Sequence, residues 1–108
     1  MQFLVKCQAD YSDEFDVYGF KVMSDEQWII LQENIKKCNY PMEVYFGTNE
    51  ALIFESPNEI MRSLTAIEMT PEEVEVLKKG FGTSYDNSIN YGAGIIDNII
   101  DHAAGAYD

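Results

Sequence analysis

The sequence predicts a small α+β domain, in which helices pack on an antiparallel or mixed sheet of about five strands. Strand-like and helical segments alternate in the order β-β-α-β-β-α-β-α, followed by a loop and a last helix. Two pairs of strand-like segments are adjacent in the chain, which is typical of hairpins. The 108 residues are 46% hydrophobic, enough for the core of a single domain.

Two strands are predicted at the start of the chain. Residues 2–9 alternate, with Phe3 and Val5 on one face. A polar connection follows, and residues 15–22 form the second strand. Gly19 within it predicts a bulge or a close approach of another backbone.

The first helix has the clearest signals. Ser24 and Gln27 have the spacing of a capping box. Leu31 and Ile35 then fall on one face of the helix. The helix is expected to end before residues 39–41.

Two further helices are predicted from their caps and from proline at the first helical position. One begins after Ser56 and runs to about residue 63, and the next begins after Thr70. For the second of these, we expect Gly80 to form the C-terminal cap, with Phe81 packing back on the helix.

The remaining strands lie between these helices. Residues 42–46 and 51–55 flank a glycine-containing turn and predict a hairpin. Residues 64–69 form a fifth candidate strand. Residues 1–81 are therefore expected to make the core domain.

A glycine- and asparagine-rich loop, residues 82–94, separates the core from a C-terminal amphipathic helix, residues 95–108. We expect this helix to pack on its own domain. Alternatively it is an interaction arm that docks on a partner or on a second copy, giving a homodimer. Its apolar stripe consists of Ile95, Ile96, Ile99 and Ile100.

The charge of the chain excludes several functions. Nineteen acidic residues against seven basic ones give a formal net charge of -12. This excess repels nucleic acid and anionic membranes and attracts basic protein surfaces. No segment approaches the roughly 18 apolar residues of a membrane span, and the N-terminus lacks a signal-peptide pattern. We therefore expect a cytoplasmic protein.

No motif predicts an enzyme, a metal site or a cofactor. His102 is the single histidine, and the spacing supplies too few further metal ligands around it. The acidic segment after Asp10 lacks the glycine and the glutamate of a calcium loop, because Phe15 and Lys21 take those positions. Nucleophile and phosphate-loop motifs are missing as well.

The positions of the acids give the remaining signal. Residues 38–77 contain eight glutamates and one basic residue, Arg62. Some of these glutamates begin helices, where the helix dipole favours them, but others lie in strands, where glutamate is disfavoured. They either serve solubility alone or form an acidic binding face. The candidate face consists of Asp10, Asp13, Glu14, Asp16, Glu43, Glu50, Glu55 and Glu68.

Three tyrosines are candidates for the same surface. Tyr11 lies within the N-terminal acidic segment, and Tyr85 and Tyr91 lie in the glycine-rich loop. Tyrosine is frequent in binding hot spots, and aromatic rings beside acids suit arginine-rich partners.

These observations favour a small acidic inhibitor that occupies a basic, nucleic-acid-facing surface of a nuclease or a nucleic-acid-binding complex. Phage-encoded anti-defence proteins and DNA mimics act in this way as a class. One alternative is an immunity protein that neutralises a cognate basic nuclease toxin. A further alternative is a structural or adaptor domain that oligomerises through its C-terminal helix.

Overall fold

A computed structural model describes residues 1–11, 16–46, 49–86 and 94–105 of the protein. The order of the elements confirms the predicted one, with one additional strand before the last helix. The strands are β1 (Gln2–Asp10), β2 (Asp16–Ser24), β3 (Met42–Tyr45), β4 (Ala51–Phe54), β5 (Leu64–Met69) and β6 (Ser84–Asp86). The helices are α1 (Asp25–Lys37), α2 (Pro57–Ser63), α3 (Pro71–Phe81) and α4 (Ile95–Ala103).

The strands form two antiparallel sheets. The larger sheet has the order β5-β1-β2-β6, and β3 and β4 pair separately as a hairpin. The α+β class is therefore confirmed, with antiparallel rather than mixed pairing and with the strands divided between two sheets.

The core lies on one face of the larger sheet. Alternation along β1 buries Val5 and Cys7, and neighbouring Val17 of β2 is buried on the same face. Leu31 of α1 and Ile60 of α2 belong to the same buried cluster. The hairpin adds its own inward side chains to this cluster, so the two sheets share one core.

Helix α4 packs into this core. Ile95, Ile96 and Ile99 are at most 2% exposed, and the helix lies against β2, β3 and α1. In this fold these three side chains are covered by the rest of the described chain. Docking of the helix on a partner or on a second copy stays a prediction. Ile100 is partly buried against the same core.

Polar contacts hold α4 from both sides. The Lys21 ammonium lies 2.8 Å from the Asp97 carboxylate, and the Asn98 amide donates to the carbonyl of Tyr45 at 2.9 Å. The helix is thereby tied to β2 and to β3.

The predicted helix starts are confirmed in atomic detail. The Ser24 hydroxyl accepts from the N–H of Gln27 at 3.2 Å, and the Gln27 side chain accepts from the N–H of Ser24 at 3.0 Å. Thr70 and Glu73 make the same reciprocal pair at the start of α3. Strand β2 continues to Ser24, two residues beyond its predicted end.

The end of α3 differs from the prediction. The helix continues through Gly80 to Phe81, and Gly82 caps it with a φ of 79°, a conformation that favours glycine. Phe81 is 72% exposed and does not pack back on the helix.

The segment predicted as a loop, residues 82–94, contains strand β6. Tyr85 pairs with Phe20 of β2, and the N–H of Val22 donates to the carbonyl of Thr83 at 2.8 Å. Residues 87–93 lie outside the described residues. Among the described helices, none is both long and apolar enough to cross a membrane.

Candidate protein-binding site at the acidic end

The β3–β4 hairpin brings three of the predicted acids together. Alternation along β3 buries Met42 and Val44 and turns Glu43 outward. Glu50 immediately precedes β4 and Glu55 immediately follows it. Three of the predicted acids therefore lie on or directly beside one hairpin, in which Glu43 is the cross-strand partner of the exposed Ile53.

Hydrogen bonds orient two of these carboxylates. The Tyr45 hydroxyl donates to Glu43 Oε2 at 3.2 Å, and the N–H of Asn49 donates to Glu50 Oε2 at 3.2 Å. The N–H of Glu55 donates to the carboxylate of Glu59 in α2. The Glu43 and Glu50 carboxylates are thus held by local donors, and neither donor carries a positive charge.

Asp10 and Asp16 form a second acidic pair at the end of β1 and β2. They are direct cross-strand partners, and the Gln8 side chain donates to Asp16 Oδ2 at 3.2 Å. A hydrogen bond to Asp16 and the repulsion of its charge raise the pKa of the Asp10 carboxyl. Asp10 therefore binds a proton more readily than an isolated surface carboxylate does.

Tyr11 connects the two acidic groups. Its ring meets Phe46, which directly follows β3, edge to face at a centroid distance of 4.8 Å. We call the surface made by Asp10, Asp16, Glu43, Glu50 and Glu55 the acidic end.

A groove of about 510 Å³ adjoins the acidic end, and Asp10 is the one of its five acids that lines the groove. Residues 8–11 line it on the β1 side, and residues 51–54 line it along β4. Glu59 and Arg62 of α2 complete the lining, and Arg62 is its one positive side chain among the described residues.

Other predicted site residues lie elsewhere. Glu68 pairs with Phe3, seven residues from Asp10 along β1, which places it about 23 Å from the acidic end. Tyr85 lies on the edge strand β6, where its ring stacks with Phe20 at 6.1 Å. Asp13, Glu14 and Tyr91 lie outside the described residues.

Several residues of this surface have weak or no signals in the sequence. Glu59 lies in the first turn of α2, a position that the helix start alone explains, yet its carboxylate also accepts from the N–H of Glu55. Ile53 is 56% exposed between two buried neighbours. The alternation of residues 51–55 was the available signal for Ile53, whereas nothing local in the sequence indicates that Arg62 reaches the groove.

The acidic end offers carboxylate acceptors and exposed apolar surface, which together suit the ammonium and guanidinium groups of a protein partner. No group of three histidine, cysteine, aspartate or glutamate side chains that could hold a metal ion occurs in the described parts of the chain. No protein-family model matches the chain, and no curated protein or solved structure is significantly similar to it.

Proposed function

We propose that the protein is a small acidic inhibitor whose acidic end binds a basic, nucleic-acid-facing surface of a partner protein. The observation that carries this proposal is the hairpin itself. Glu43, Glu50 and Glu55 lie on it together, and residues 42–55 contain no lysine or arginine. A partner that normally holds nucleic acid supplies the complementary positive potential.

The charges of the hairpin are not compensated within the described chain. The ion pairs there join Lys21 to Asp97 and Lys78 to Glu75, and neither involves Glu43, Glu50 or Glu55. An uncompensated acidic group raises the rate of encounter with a basic surface and makes binding sensitive to salt. An inhibitor of this kind competes with nucleic acid for that surface, as DNA mimics do.

Affinity capture from the native host lysate at low salt tests the proposal. Bound proteins are eluted with a salt gradient and identified by mass spectrometry, and each partner is then tested for simultaneous binding of duplex DNA and the protein. We expect a basic partner whose DNA and protein complexes exclude each other. Capture of a cognate toxin nuclease would assign an immunity function, and a partner that binds DNA and the protein together would contradict the proposed competition.

A charge-reversal variant locates the binding surface. Glu43→Lys, Glu50→Lys and Glu55→Lys are combined, and the matched control combines Glu33→Lys, Glu72→Lys and Glu75→Lys on helices α1 and α3. Both variants have a formal net charge of -6. We expect the hairpin variant to associate more slowly and with a smaller salt dependence than the control. Equal association rates for the two variants would refute a specific role of the acidic end.

A further inference from the structure

Strand β1 leaves part of one edge without a partner. The Val22–Thr83 hydrogen bond shows that even-numbered residues of β2 direct their peptide groups towards β6. The peptide groups of the odd-numbered residues of β2 therefore form hydrogen bonds with β1. In the register of the two strands, these residues pair with odd-numbered residues of β1. The even-numbered residues of β1 consequently point towards β5.

Strand β5 covers only part of that edge. It pairs with β1 from Gln2 to Cys7 and no further. The peptide groups of Gln8 and Asp10 point to the same side beyond the end of β5. Among the described residues no main-chain group pairs with them.

Strand β4 has an unpaired edge of the same kind. The N–H of Phe46 donates to the carbonyl of Glu50 at 3.1 Å, so even-numbered residues of the hairpin carry its hydrogen bonds. Ala51 and Ile53 then direct their peptide groups away from β3. Within the described part of the chain, no other strand pairs with β4.

Both unpaired edges line the groove at the acidic end. Gln8 and Asp10 belong to its lining on the β1 side, and Ala51 and Ile53 belong to it along β4. The groove volume of about 510 Å³ lies within the range of ordinary ligand sites, about 300–1,000 Å³. Exposed strand edges are templates for pairing with another chain.

We infer that this groove binds an extended, basic segment of a partner protein, which adds as a strand to β1, to β4 or to both. The free peptide groups supply the hydrogen bonds. Asp10 and Glu59 line the groove and Glu55 adjoins it, against one cation, Arg62, so the lining favours a basic segment. Strand addition goes beyond the proposed inhibitor function, because an acidic surface can block a basic cleft without it.

Selection from a phage-displayed library of random peptides tests the inference directly on the whole protein. We expect the enriched peptides to be rich in lysine or arginine and to contain β-branched residues. In NMR titrations they should shift the amide signals of Gln8, Asp10, Ala51 and Ile53. Copies of these peptides with N-methyl groups on alternate residues should bind more weakly, because they lack donors along one edge.

A proline variant tests the hydrogen bonding from the protein side. Ile53→Pro removes an N–H that points away from β3, so the hairpin keeps its own hydrogen bonds. The matched control is Glu68→Pro, which removes an N–H that points away from β1 on β5, an edge strand of the larger sheet. We expect Ile53→Pro to raise the Kd of an enriched peptide about tenfold, while the control leaves it unchanged.

Three results of the peptide selection would overturn the inference. Either no peptide is enriched, or the enriched peptides are acidic, or the amide signals that shift belong to other surfaces. Equal binding by the two proline variants would also overturn it, provided that thermal unfolding shows both to be folded. The inhibitor function is tested separately, by competition with DNA, and either idea can fail alone.

Discussion

At the scale of single residues, the ionisation of the Cys7 side chain is linked to folding. It is fully buried, and burial raises the pKa of its thiol to about 11, against a weaker opposing hydrogen bond with Ser63. Both Cys7 and Cys38 are free thiols. Because the folded protein holds Cys7 protonated, its thiolate forms more readily in the unfolded chain.

We predict that stability falls between pH 9 and pH 11 because of Cys7. Below pH 9 the thiol is protonated in both states. Above it the unfolded chain ionises first, so the free energy of unfolding drops by about 2–3 kcal/mol as the pH approaches 11. Urea unfolding across this range measures the change. In the Cys7→Ala variant this decrease in the free energy of unfolding between pH 9 and pH 11 should disappear. If the free energy of unfolding of the variant falls with pH as steeply as before, the prediction is contradicted.

Asp10 provides a second prediction at this scale. Its pKa is raised by hydrogen bonding to Asp16 and by the charge of that carboxylate. In Asp16→Asn the negative charge is gone, so the pKa of Asp10 should fall towards its ordinary value. NMR titration of the Asp10 carboxyl carbon measures it. Asp25→Asn, a change at the start of α1, serves as the control and should leave Asp10 unaffected.

At the scale of elements, α4 contributes to the core more than its place after a glycine-rich segment suggests. We predict that Ile99→Ala lowers the free energy of unfolding by about 2–5 kcal/mol, because a fully buried side chain leaves a cavity. The control, Ile30→Ala, removes a side chain that is 56% exposed on α1 and should cost far less. Urea unfolding gives both values.

Size-exclusion chromatography with light scattering completes this test. Since Ile99 faces the chain's own core, its replacement should leave the mass of the folded particle unchanged. A change in oligomeric state without loss of stability would favour the docking interpretation of the isoleucine stripe.

The elements that were predicted correctly have strong local signals. Ser24, Ser56 and Thr70 each begin a helix, because a capping side chain acts within one turn of its own position. Strand β6 was missed because it has three residues within a glycine-rich segment, and its pairing with β2 is a long-range property. Gly80 and Gly82 both fit the local pattern of a C-terminal cap, so that pattern leaves the end of α3 open by two residues.

The candidate site, like the fold, was predictable where its signals are local. Strand propensity singled out Glu43, Glu50 and Glu55, and the hairpin then places them together. The contact between Tyr11 and Phe46 joins positions distant in the chain, so it depends on how the hairpin docks. The distance between Glu68 and the acidic end also depends on long-range pairing, because the register of β5 on β1 places Glu68 beside Phe3.

At the scale of the whole molecule, the net charge of -12 sits on a body of 38 × 31 × 23 Å. At about 0.01 M salt the screening length is about 30 Å, so charges on opposite sides repel, whereas at about 0.15 M it is about 8 Å. Repulsion among its own negative charges therefore destabilises the folded state at low ionic strength.

We predict that the Tm rises when sodium chloride is increased from about 0.01 M to about 0.15 M, because screening relieves this repulsion. Differential scanning fluorimetry measures the shift. The Glu33, Glu72 and Glu75 reversal variant, with a net charge of -6, should show a smaller rise. A Tm that is independent of salt in both proteins would contradict the prediction.

The burial of α4 also affects how the protein folds during its synthesis. Ile95, Ile96 and Ile99 occupy the centre of the core, yet they are translated after every strand that they cover. A nascent chain that has not yet reached this helix exposes apolar surface on β2 and β3. The core can therefore close only after this helix has left the ribosome, and the apolar surface exposed until then favours aggregation.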